Sequence, residues 1–465
     1  MSTREIVLSH PVRTAIGAYN GTLKSVPATE LGAIVVRETL RRAGLCGDEI
    51  GAVVMGNVIQ AGNRMNPARQ ASIGAGLPVS VPAMTVNRVC GSGAQAILTA
   101  ALEIAGGDSD AAIAGGMENM DRAPYLMDGG RWGYRMGPAQ ILDRMLTDGL
   151  NDAFSGEHSG WHTEDLVTKL QITRAEQDAF AARSQKRFAA AQNAGRFADE
   201  IVPVEVKGRK GTESFVIDEA PRPETTIETL ARLKPAFRPD GTITAGNAPG
   251  LNSAAAAMIV AERGFAESKG IEPMGRVAGY GVAAVAPGLF GLGPVPAVRK
   301  ALDRAGWSLA DIERIEINEA FAAVPIAVAR ELGVPEDIVN VEGGCRGPRP
   351  PDRRDRSDAN HPAPIRRSRS LWCRSWQSET AQRSFAASAL RLGHPLQRWA
   401  LSESHGLARS RMIQQRSAML PIAALVNVPA DMAHIVTLPN FDAIVAQYVV
   451  GGNDMKIEVR DRPVP

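Results

Sequence analysis

A cysteine that stands between a valine-rich segment and a long apolar segment constrains the fold of this chain more than any other feature. Residues 79–86 predict a strand, and residues 96–107 predict a buried helix that ends at two glycines. Cys90 is therefore expected at a strand-to-helix turn, where small residues let a ligand approach the backbone. Free N–H groups and the positive dipole end of a helix favour a thiolate, the nucleophilic form of cysteine. The alternative is a small buried cysteine, because free cysteine is among the most buried residue types.

Strands and helices alternate along the first 116 residues, which is typical of an α/β fold. Predicted strands cover residues 6–9, 52–55, 110–114 and 315–317, and predicted helices cover residues 31–43, 174–194, 252–261 and 322–332. The pattern loosens from about residue 118 to residue 244, a stretch that is too long for a simple connection. We therefore expect an inserted lobe in this part of the chain.

A weak internal repeat relates the two halves of the chain. Five residues of the first half recur at the same spacing in the second half, namely Arg37, Leu40, Arg42, Ala43 and Gly44, and Arg299, Leu302, Arg304, Ala305 and Gly306. Each set is followed by a turn that contains aspartate and then by a predicted strand. The repeat predicts two halves of one duplicated architecture.

Composition and charge exclude several classes of protein. The formal net charge is +2, which gives no electrostatic basis for binding nucleic acid or a membrane surface. No run of about 18 apolar residues is evident, so no membrane span is predicted. The first residues lack the apolar centre of a signal peptide. The four cysteines show neither a CxxC pair nor zinc-ligand spacing, which predicts no metal site and a reducing, cytoplasmic location.

The residues around Cys90 carry a family resemblance. Asn87 to Ala96, NRVCGSGAQA, resembles the nucleophile segment of the thiolases, which are acyl-CoA acetyltransferases. The resemblance implies two similar α/β domains in a five-layered αβαβα sandwich, with a loop lobe inserted in the first. It also implies that Cys90 attacks an acyl-CoA thioester, that no metal or tightly bound cofactor is needed, and that the chain forms a homodimer or homotetramer.

A second motif, NEAF at residues 318–321, follows a predicted strand and precedes a predicted helix. Polar residues at the end of such a strand can lie in a ligand-binding crevice. The alternative is that Asn318 caps the helix. The four residues match the NEAF motif of the thiolases. The resemblance implies that Asn318 holds a water in the oxyanion region, and that Ala320 and Phe321 line the acyl and pantetheine pocket.

A third segment, HSGWHTED at residues 158–165, resembles the thiolase pattern H-M-G-x-T-A-E-N. The resemblance implies that His158 borders the coenzyme A thioester, and Ser159 replaces the usual methionine. The alternative for a lone histidine is a solvated surface side chain.

Two further positions are expected to contact coenzyme A by resemblance. Residues 244–252 are similar to the pantetheine-binding stretch TAGNASGLND, which includes Ala245, and Pro249 replaces its serine. Arg222 falls where the family places an arginine near the adenine nucleotide, and a guanidinium suits a phosphate there. A solvated surface arginine is the alternative.

The composition changes abruptly after Gly344. Residues 346–370 contain eight arginines, and no lysine occurs between Lys300 and Lys456. One interpretation is a basic disordered linker, and a second is an arm that binds nucleic acid. We favour a third, a change of reading frame, because the resemblance implies that a GHPxGATG block follows here.

The reading-frame hypothesis rests on the codons that these residues allow. Codons can be chosen for Cys345 to Pro364 such that, when the first base is dropped, the new frame encodes AVAHGHPIGATGATLTTR. Only the middle base of each new codon is mostly free in this choice, because the residues of the chain largely fix the other two. That peptide contains the block that brings the general-base histidine of the thiolases. In the chain as it stands, Pro350 occupies the position of that histidine, and no cysteine matches the family's second, C-terminal cysteine.

Three regions are therefore expected. They are an N-terminal thiolase domain at residues 1–265 with the lobe at about 118–249, a truncated C-terminal domain at 272–344, and an aberrant segment at 345–465. The predicted function is acyl transfer between coenzyme A thioesters by Claisen or reverse Claisen chemistry, with acyl-CoA and CoA as partners and with activity impaired by the missing base. The alternatives are an inactive thiolase-fold remnant that at most binds CoA, and a β-ketoacyl synthase-like condensing enzyme.

Overall fold

The structure is a computed structural model, and it describes residues 4–208 and 211–343 together with the backbone of two later strands. In chain order the strands are β1 Ile6–Thr14, β2 Gly17–Ala18, β3 Ala52–Gly56, β4 Ala83–Val86, β5 Ala111–Asn119, β6 Tyr125–Leu126, β7 Leu142–Asp143, β8 Ile201–Val202, β9 Val204–Gly208, β10 Gly211–Phe215, β11 Asn252–Glu262, β12 Gly275–Val285, β13 Arg314–Ile317, β14 Ser370–Cys373 and β15 Asp442–Val450. The helices are α1 Ala28–Ala43, α2 Pro67–Ala75, α3 Ser92–Gly106, α4 Ser159–Leu170, α5 Arg174–Asn193, α6 Ile227–Ala231, α7 Arg263–Ser268, α8 Pro294–Ala305 and α9 Ala323–Leu332.

A mixed sheet with the strand order β4-β3-β5-β11-β1 forms the first half. β3 runs parallel to β4 and β5, whereas β11 runs antiparallel to β5 and β1. Successive residues of a strand face opposite sides of a sheet. Ile113 of β5 therefore packs in a core with Leu31 of α1, and its neighbour Ala114 packs in a second core with Ile97 of α3. Helices cover both faces, as the α/β prediction requires.

The prediction of a helix at residues 252–261 is wrong, because these residues form strand β11. β11 lies between β1 and β5, and its first ten residues are buried. Alanine has the highest helix propensity, but α1 and α3 both contact this strand, so that both of its faces are buried. The neighbouring strand β5 packs closely against β11, since a Cβ on Gly115 of β5 would collide with the backbone of Ala256 of β11. Burial on both faces outweighs the local preference.

A large lobe separates β5 from β11 along the chain. It contains α4, α5 and α6 and the two-stranded pairs β6–β7 and β9–β10, and its short strand β8 pairs with β1. The lobe packs on the second half of the chain, where Leu166 of α4 and Phe180 of α5 share a core with Ile326 of α9. The lobe thereby connects the two halves next to the candidate site.

The second half repeats the first over α8 and β13, as the sequence repeat predicts. α1 ends at Gly44 with a φ of 66°, and α8 ends at Gly306 with a φ of 67°. Both positions suit glycine, which has no Cβ to oppose a positive φ. A 3₁₀ turn follows each helix, at Gly47–Glu49 and at Leu309–Asp311, and a strand follows each turn.

The backbone strands β14 and β15 extend the sheet in the order β13-β14-β15-β12, and all three pairings are parallel. In the first half, by contrast, β11 is antiparallel to its neighbour β1. The two halves therefore differ at β15, which lies in the region predicted to be aberrant. Pro350 and the rest of the codon block at 345–364 lie outside the described residues.

In the part of the chain that the structure describes, one stretch, Val89–Gly106, is long and apolar enough to cross a membrane by length and composition alone. The prediction that no apolar run of about 18 residues occurs is therefore wrong for this stretch. It comprises α3 and the turn before it, and α3 packs against β3 and β5 in the core. Its position in the core accounts for its apolar composition.

Candidate active site

Cys90 lies on the turn between β4 and α3, as the sequence predicts. Val89 before it has a φ of 46°, which a β-branched residue rarely adopts, so the turn is strained. Ser92 closes this turn, because its Oγ accepts a hydrogen bond from Arg88 N at 2.8 Å and donates one to Val89 O at 2.6 Å. Cys90 is partly exposed and forms no disulfide. The turn holds it at the N-terminal end of α3, where the helix dipole favours a thiolate.

The end of β3 supports this turn. A Cβ on Gly56 would lie 2.7 Å from the Cβ of Ser92, so only glycine lets α3 begin this close to the sheet. Asn57 donates from its backbone N–H to Val86 O at 3.1 Å and from its side chain to Glu118 Oε1 at 3.0 Å. These contacts fix the ends of β3, β4 and β5 together beneath the turn.

The NEAF segment follows β13 and belongs to the second half of the chain. Asn318 is buried, and α9 begins at Ala323 with Ala322 as its N-cap, which excludes the interpretation of Asn318 as a helix cap. Asn340 anchors the end of β13, since its side chain accepts from Ile317 N at 2.7 Å and donates to Ile317 O at 2.9 Å. Asn318 is thus held at the end of a strand, where a ligand can reach it.

His158 is the N-cap of α4, and its Nδ1 accepts a hydrogen bond from Gly160 N at 2.9 Å. Burial lowers the pKa of His158 below its ordinary value of 6.5. The ring is therefore neutral near pH 7, and because Nδ1 is an acceptor we assign its proton to Nε2. The imidazole stacks on Phe237 with ring centroids 4.7 Å apart. His158 is thus a fixed N–H donor rather than a solvated surface histidine.

Aromatic side chains connect the lobe to the NEAF segment. Phe237 meets Phe321 edge to face, with centroids 6.0 Å apart and an angle of 81° between the rings. Phe290, which begins a 3₁₀ turn at Phe290–Leu292, has its ring centroid 6.4 Å from that of Phe321. Such pairs are favourable beyond the area they bury, and they give the site a rigid apolar wall.

Glu164 of α4 ties the HSGWHTED segment to the TAGN-like segment. Its buried carboxylate accepts hydrogen bonds from Thr242 N at 2.9 Å and from Ile243 N at 2.8 Å. Asn247 then closes the TAGN-like turn, because its side chain accepts from Thr244 N at 2.8 Å. The HSGWHTED segment and the TAGN-like segment, which both resemble coenzyme A-binding segments of the thiolases, are therefore one structural unit.

These elements enclose a cavity of about 810 Å³. Its lining includes five of the residues that the sequence points to, namely Cys90, His158, Asn318, Ala320 and Phe321. The cavity therefore combines a nucleophile, an imidazole donor and an asparagine with largely apolar walls. This combination suits the transfer of an acyl group to a thiol, with donors for the charge that develops on the carbonyl oxygen.

Comparison with known proteins decides the family. Residues 6–264 match the family model described as Thiolase, N-terminal domain, and residues 271–346 match Thiolase, C-terminal domain. The chain belongs to the thiolase family.

Individual thiolases resemble the chain over most of their own length. The chain is 51% identical to an acetyl-CoA acetyltransferase of Pseudomonas aeruginosa over 343 residues, which is 74% of this chain and 87% of that protein. It is 50% identical to beta-ketothiolase BktB of Cupriavidus necator over 343 residues, which is 73% of this chain and 87% of that protein. Among solved structures, the acetyl-CoA acetyltransferase of Bacillus anthracis has a TM-score of 0.74 and 37% identity, and the match covers 83% of this chain and 91% of that chain. These matches confirm the thiolase-like α/β fold class and do not favour the β-ketoacyl synthase alternative.

Two residues that the thiolase resemblance connects with coenzyme A, Arg222 and Ala245, are not among the residues that line the cavity. Arg222 is exposed, and its Nη1 donates to backbone carbonyls of its own loop, including Glu219 O at 2.9 Å. Ala245 is exposed three residues before Ala248, where its segment enters the lining. The contact of Arg222 with the adenine nucleotide and that of Ala245 with pantetheine both stay predictions.

Sequence reasoning misses part of the lining. No motif marks Phe237, Phe290 or the segment 145–154, all of which line the cavity. In the structure this segment includes a π-helix at Met145–Leu150, a feature that is frequent at functional sites. His162 also lines the cavity, and its Nε2 lies 2.7 Å from the Oγ of a serine in the preceding loop. Its position four residues after His158, the N-cap of α4, is a signal that was present in the sequence.

Proposed function

We propose that this chain is an acyltransferase of the thiolase type in which Cys90 accepts the acyl group of a coenzyme A thioester. The observation that carries the proposal is the position of Cys90, on a strained turn in the same cavity as His158 and Asn318. These three residues come from the first half, the lobe and the second half of the chain. Their convergence at one cavity supports a shared chemical role.

The first step is the transfer of the acyl group to the enzyme. Cys90 loses its thiol proton, and its Sγ attacks the thioester carbonyl carbon. The bond from that carbon to the coenzyme A sulfur breaks, and coenzyme A leaves as a thiolate that takes up one proton in place of the one that Cys90 lost. Negative charge develops on the carbonyl oxygen in between. We assign the stabilising donors to Nε2–H of His158 and to a water held by Asn318.

The second step forms or breaks a carbon–carbon bond. In the synthetic direction a base removes a methyl proton from acetyl-CoA, and the carbanion attacks the carbonyl of acyl-Cys90, which releases the thiolate and a 3-oxoacyl-CoA. Thiolysis is the reverse. The thiolase resemblance assigns the proton transfers to a histidine and a second cysteine. This chain has Pro350 in place of the histidine, and a proline side chain cannot accept a proton.

We therefore propose that turnover by this chain is severely impaired, whereas Cys90 still reacts with thioesters and alkylating reagents. In subtilisin, loss of one member of a catalytic unit costs nearly as much as loss of the whole unit. The match to the C-terminal thiolase model ends at residue 346, beside the change of composition after Gly344. This coincidence supports the hypothesis of a changed reading frame.

The test is a thiolysis assay with acetoacetyl-CoA and CoA on three proteins: this chain, its Cys90→Ala variant, and a chain in which the GHPIGATG frame is restored. We expect turnover in the restored chain only, and loss of that turnover when Cys90→Ala is added. Turnover by the present chain that depends on Cys90 would overturn the proposed impairment. A folded restored chain without turnover would contradict the thiolase activity itself. Sequencing the coding DNA across codon 345 tests the frame directly.

Three finer expectations belong to the same proposal. Coenzyme A thioesters are the substrates and need no metal or bound cofactor. Within residues 4–208 and 211–343, no group of three or more His, Cys, Asp or Glu side chains is placed to hold a metal ion. A homodimer or homotetramer and a cytoplasmic location complete the proposal.

A further inference from the structure

Arg88 lies two residues before Cys90 and lines the same cavity. It is partly buried, and its Nη1 is a buried nitrogen with no hydrogen-bond partner among the described residues. Consecutive Cα atoms are 3.80 Å apart, so the Cα atoms of the two residues are separated by at most about 7.6 Å. A guanidinium whose Nη1 has no partner among the described residues therefore shares the cavity with the candidate nucleophile.

The carboxylates in the described lining of the cavity are already engaged. Asp148 forms an ion pair with Arg144, four residues before it. Asp152 accepts hydrogen bonds from Ser155 N at 2.9 Å and from Phe154 N at 3.1 Å, within its own turn. Neither of them is paired with Arg88. Among the described lining residues, Asp148 and Asp152 therefore leave the Nη1 of Arg88 without a hydrogen-bond partner.

The ionisation of Arg88 agrees with this geometry. Burial lowers the pKa of Arg88, and no carboxylate acts against that effect. Arg263 provides a contrast, because its hydrogen bond to Glu5 raises its pKa despite burial. A partly desolvated cation gains most when an anion with matching geometry binds beside it.

We propose that Arg88 forms an anion subsite for the acyl group, and that the cavity takes thioesters of short dicarboxylic acids, whose far carboxylate pairs with the guanidinium. This inference rests on the proposed function, since the acyl group is the one that Cys90 accepts. The planar guanidinium fork binds a carboxylate through two parallel hydrogen bonds. The cavity is within the size range of ligand pockets.

The test measures how well two unreactive coenzyme A thioethers of equal chain length protect Cys90. S-butyl-CoA ends in a methyl group, and S-(3-carboxypropyl)-CoA ends in a carboxylate. Each competes with iodoacetamide, and mass spectrometry of the Cys90 peptide gives the concentration for half protection. We expect the carboxylate analogue to protect at a concentration about tenfold lower, in line with a charge-assisted hydrogen bond.

Variants identify the origin of that preference. Arg88→Met should abolish it, Arg88→Lys should retain part of it, and Arg41→Met, on an exposed face of α1, should leave it unchanged. Circular dichroism confirms that each variant is folded. The inference is overturned if S-butyl-CoA protects equally well, or if the preference persists in Arg88→Met.

Two other anions are distinguished in the same experiment. If Arg88 binds a phosphate of coenzyme A, Arg88→Met weakens protection by both thioethers equally, and the corresponding pantetheine thioethers, which lack those phosphates, show no preference. If Arg88 binds a carboxylate of a second copy of the chain, Arg88→Met lowers the mass measured by light scattering. Either result overturns the inference.

Failure of both thioethers to protect Cys90 at millimolar concentration would instead contradict the proposed function on which the inference rests.

Discussion

Asn340 Nδ2 donates a hydrogen bond to Glu319 Oε1 at 2.8 Å, while the same side chain bridges the backbone N–H and C=O of Ile317. Glu319 also accepts a hydrogen bond from Ser184 of α5. One buried asparagine therefore joins the end of β13, the NEAF segment and, through Glu319, the lobe. Its three contacts explain how Asn318, between Ile317 and Glu319, is held in place.

Replacing Asn340 by alanine should lower the free energy of unfolding by about 1–3 kcal/mol, because buried polar groups on Ile317 and Glu319 lose their partner. Urea unfolding followed by fluorescence measures the change. Asn340 also has a φ of 46°, so Asn340→Gly is the matched variant that keeps the backbone conformation but removes the hydrogen bonds. If the glycine variant is as stable as the parent, the hydrogen bonds contribute nothing and the prediction is wrong.

The stability of the chain should fall as the pH drops below the ordinary histidine pKa of 6.5, in part through His158. Its pKa is lowered by burial, so the unfolded chain takes up a proton at a higher pH than the folded chain does. The contribution is therefore fully present above pH 6.5 and decreases as the pH falls through and below that value. The measurement is the Tm between pH 8 and pH 5.

His158→Asn isolates this contribution, because asparagine can still cap α4. The Tm of this variant should fall less steeply with decreasing pH than the Tm of the parent. His10, whose pKa is lowered by burial and by Arg42, acts in the same direction and is present in both proteins. Equal slopes for the two proteins would show that His158 does not contribute.

Most of the framework around Cys90 follows from local signals in the sequence. The turn at Cys90 and the glycine that ends α1 are set by residues next to them in the chain. The end of β13 at Ile317 depends instead on Asn340, 23 residues further along the chain. β11 was predicted as a helix because alanine-rich residues favour helix, and the opposing effect, burial on both faces, depends on distant elements. Phe237 was missed for the same reason, since its role comes from stacking on His158 across the lobe.

Gly160 should not tolerate alanine, although alanine normally stabilises a helix relative to glycine by about 1 kcal/mol. A Cβ at this position would overlap the ring of Phe237, which stacks on His158. We expect Gly160→Ala to lower the free energy of unfolding by about 1–3 kcal/mol, as overpacking does. Gly106→Ala in α3 is the control, because the Cβ there meets only Asp108 at an ordinary 3.8 Å. A gain of stability in both variants would contradict the predicted clash.

Arg13 connects β1 to the lobe through two buried ion pairs, from Nε to Glu200 Oε1 at 2.6 Å and from Nη1 to Asp218 Oδ1 at 2.8 Å. Burial lowers the pKa of Arg13, but the charges of Asp218 and Glu200 outweigh burial, and the pKa is raised. The guanidinium is therefore charged at every accessible pH. Its charge compensates the charges of both carboxylates.

Arg13→Met should lower the free energy of unfolding by about 3–5 kcal/mol, because two buried carboxylates lose their counter-ion. Guanidinium chloride unfolding measures the loss, and Arg41→Met, which removes an exposed ion pair to Glu38, should cause no measurable change. A double variant that also replaces Asp218 by asparagine should recover part of the stability, since one buried charge is then removed. No recovery would mean that Arg13 stabilises the chain through packing rather than through charge.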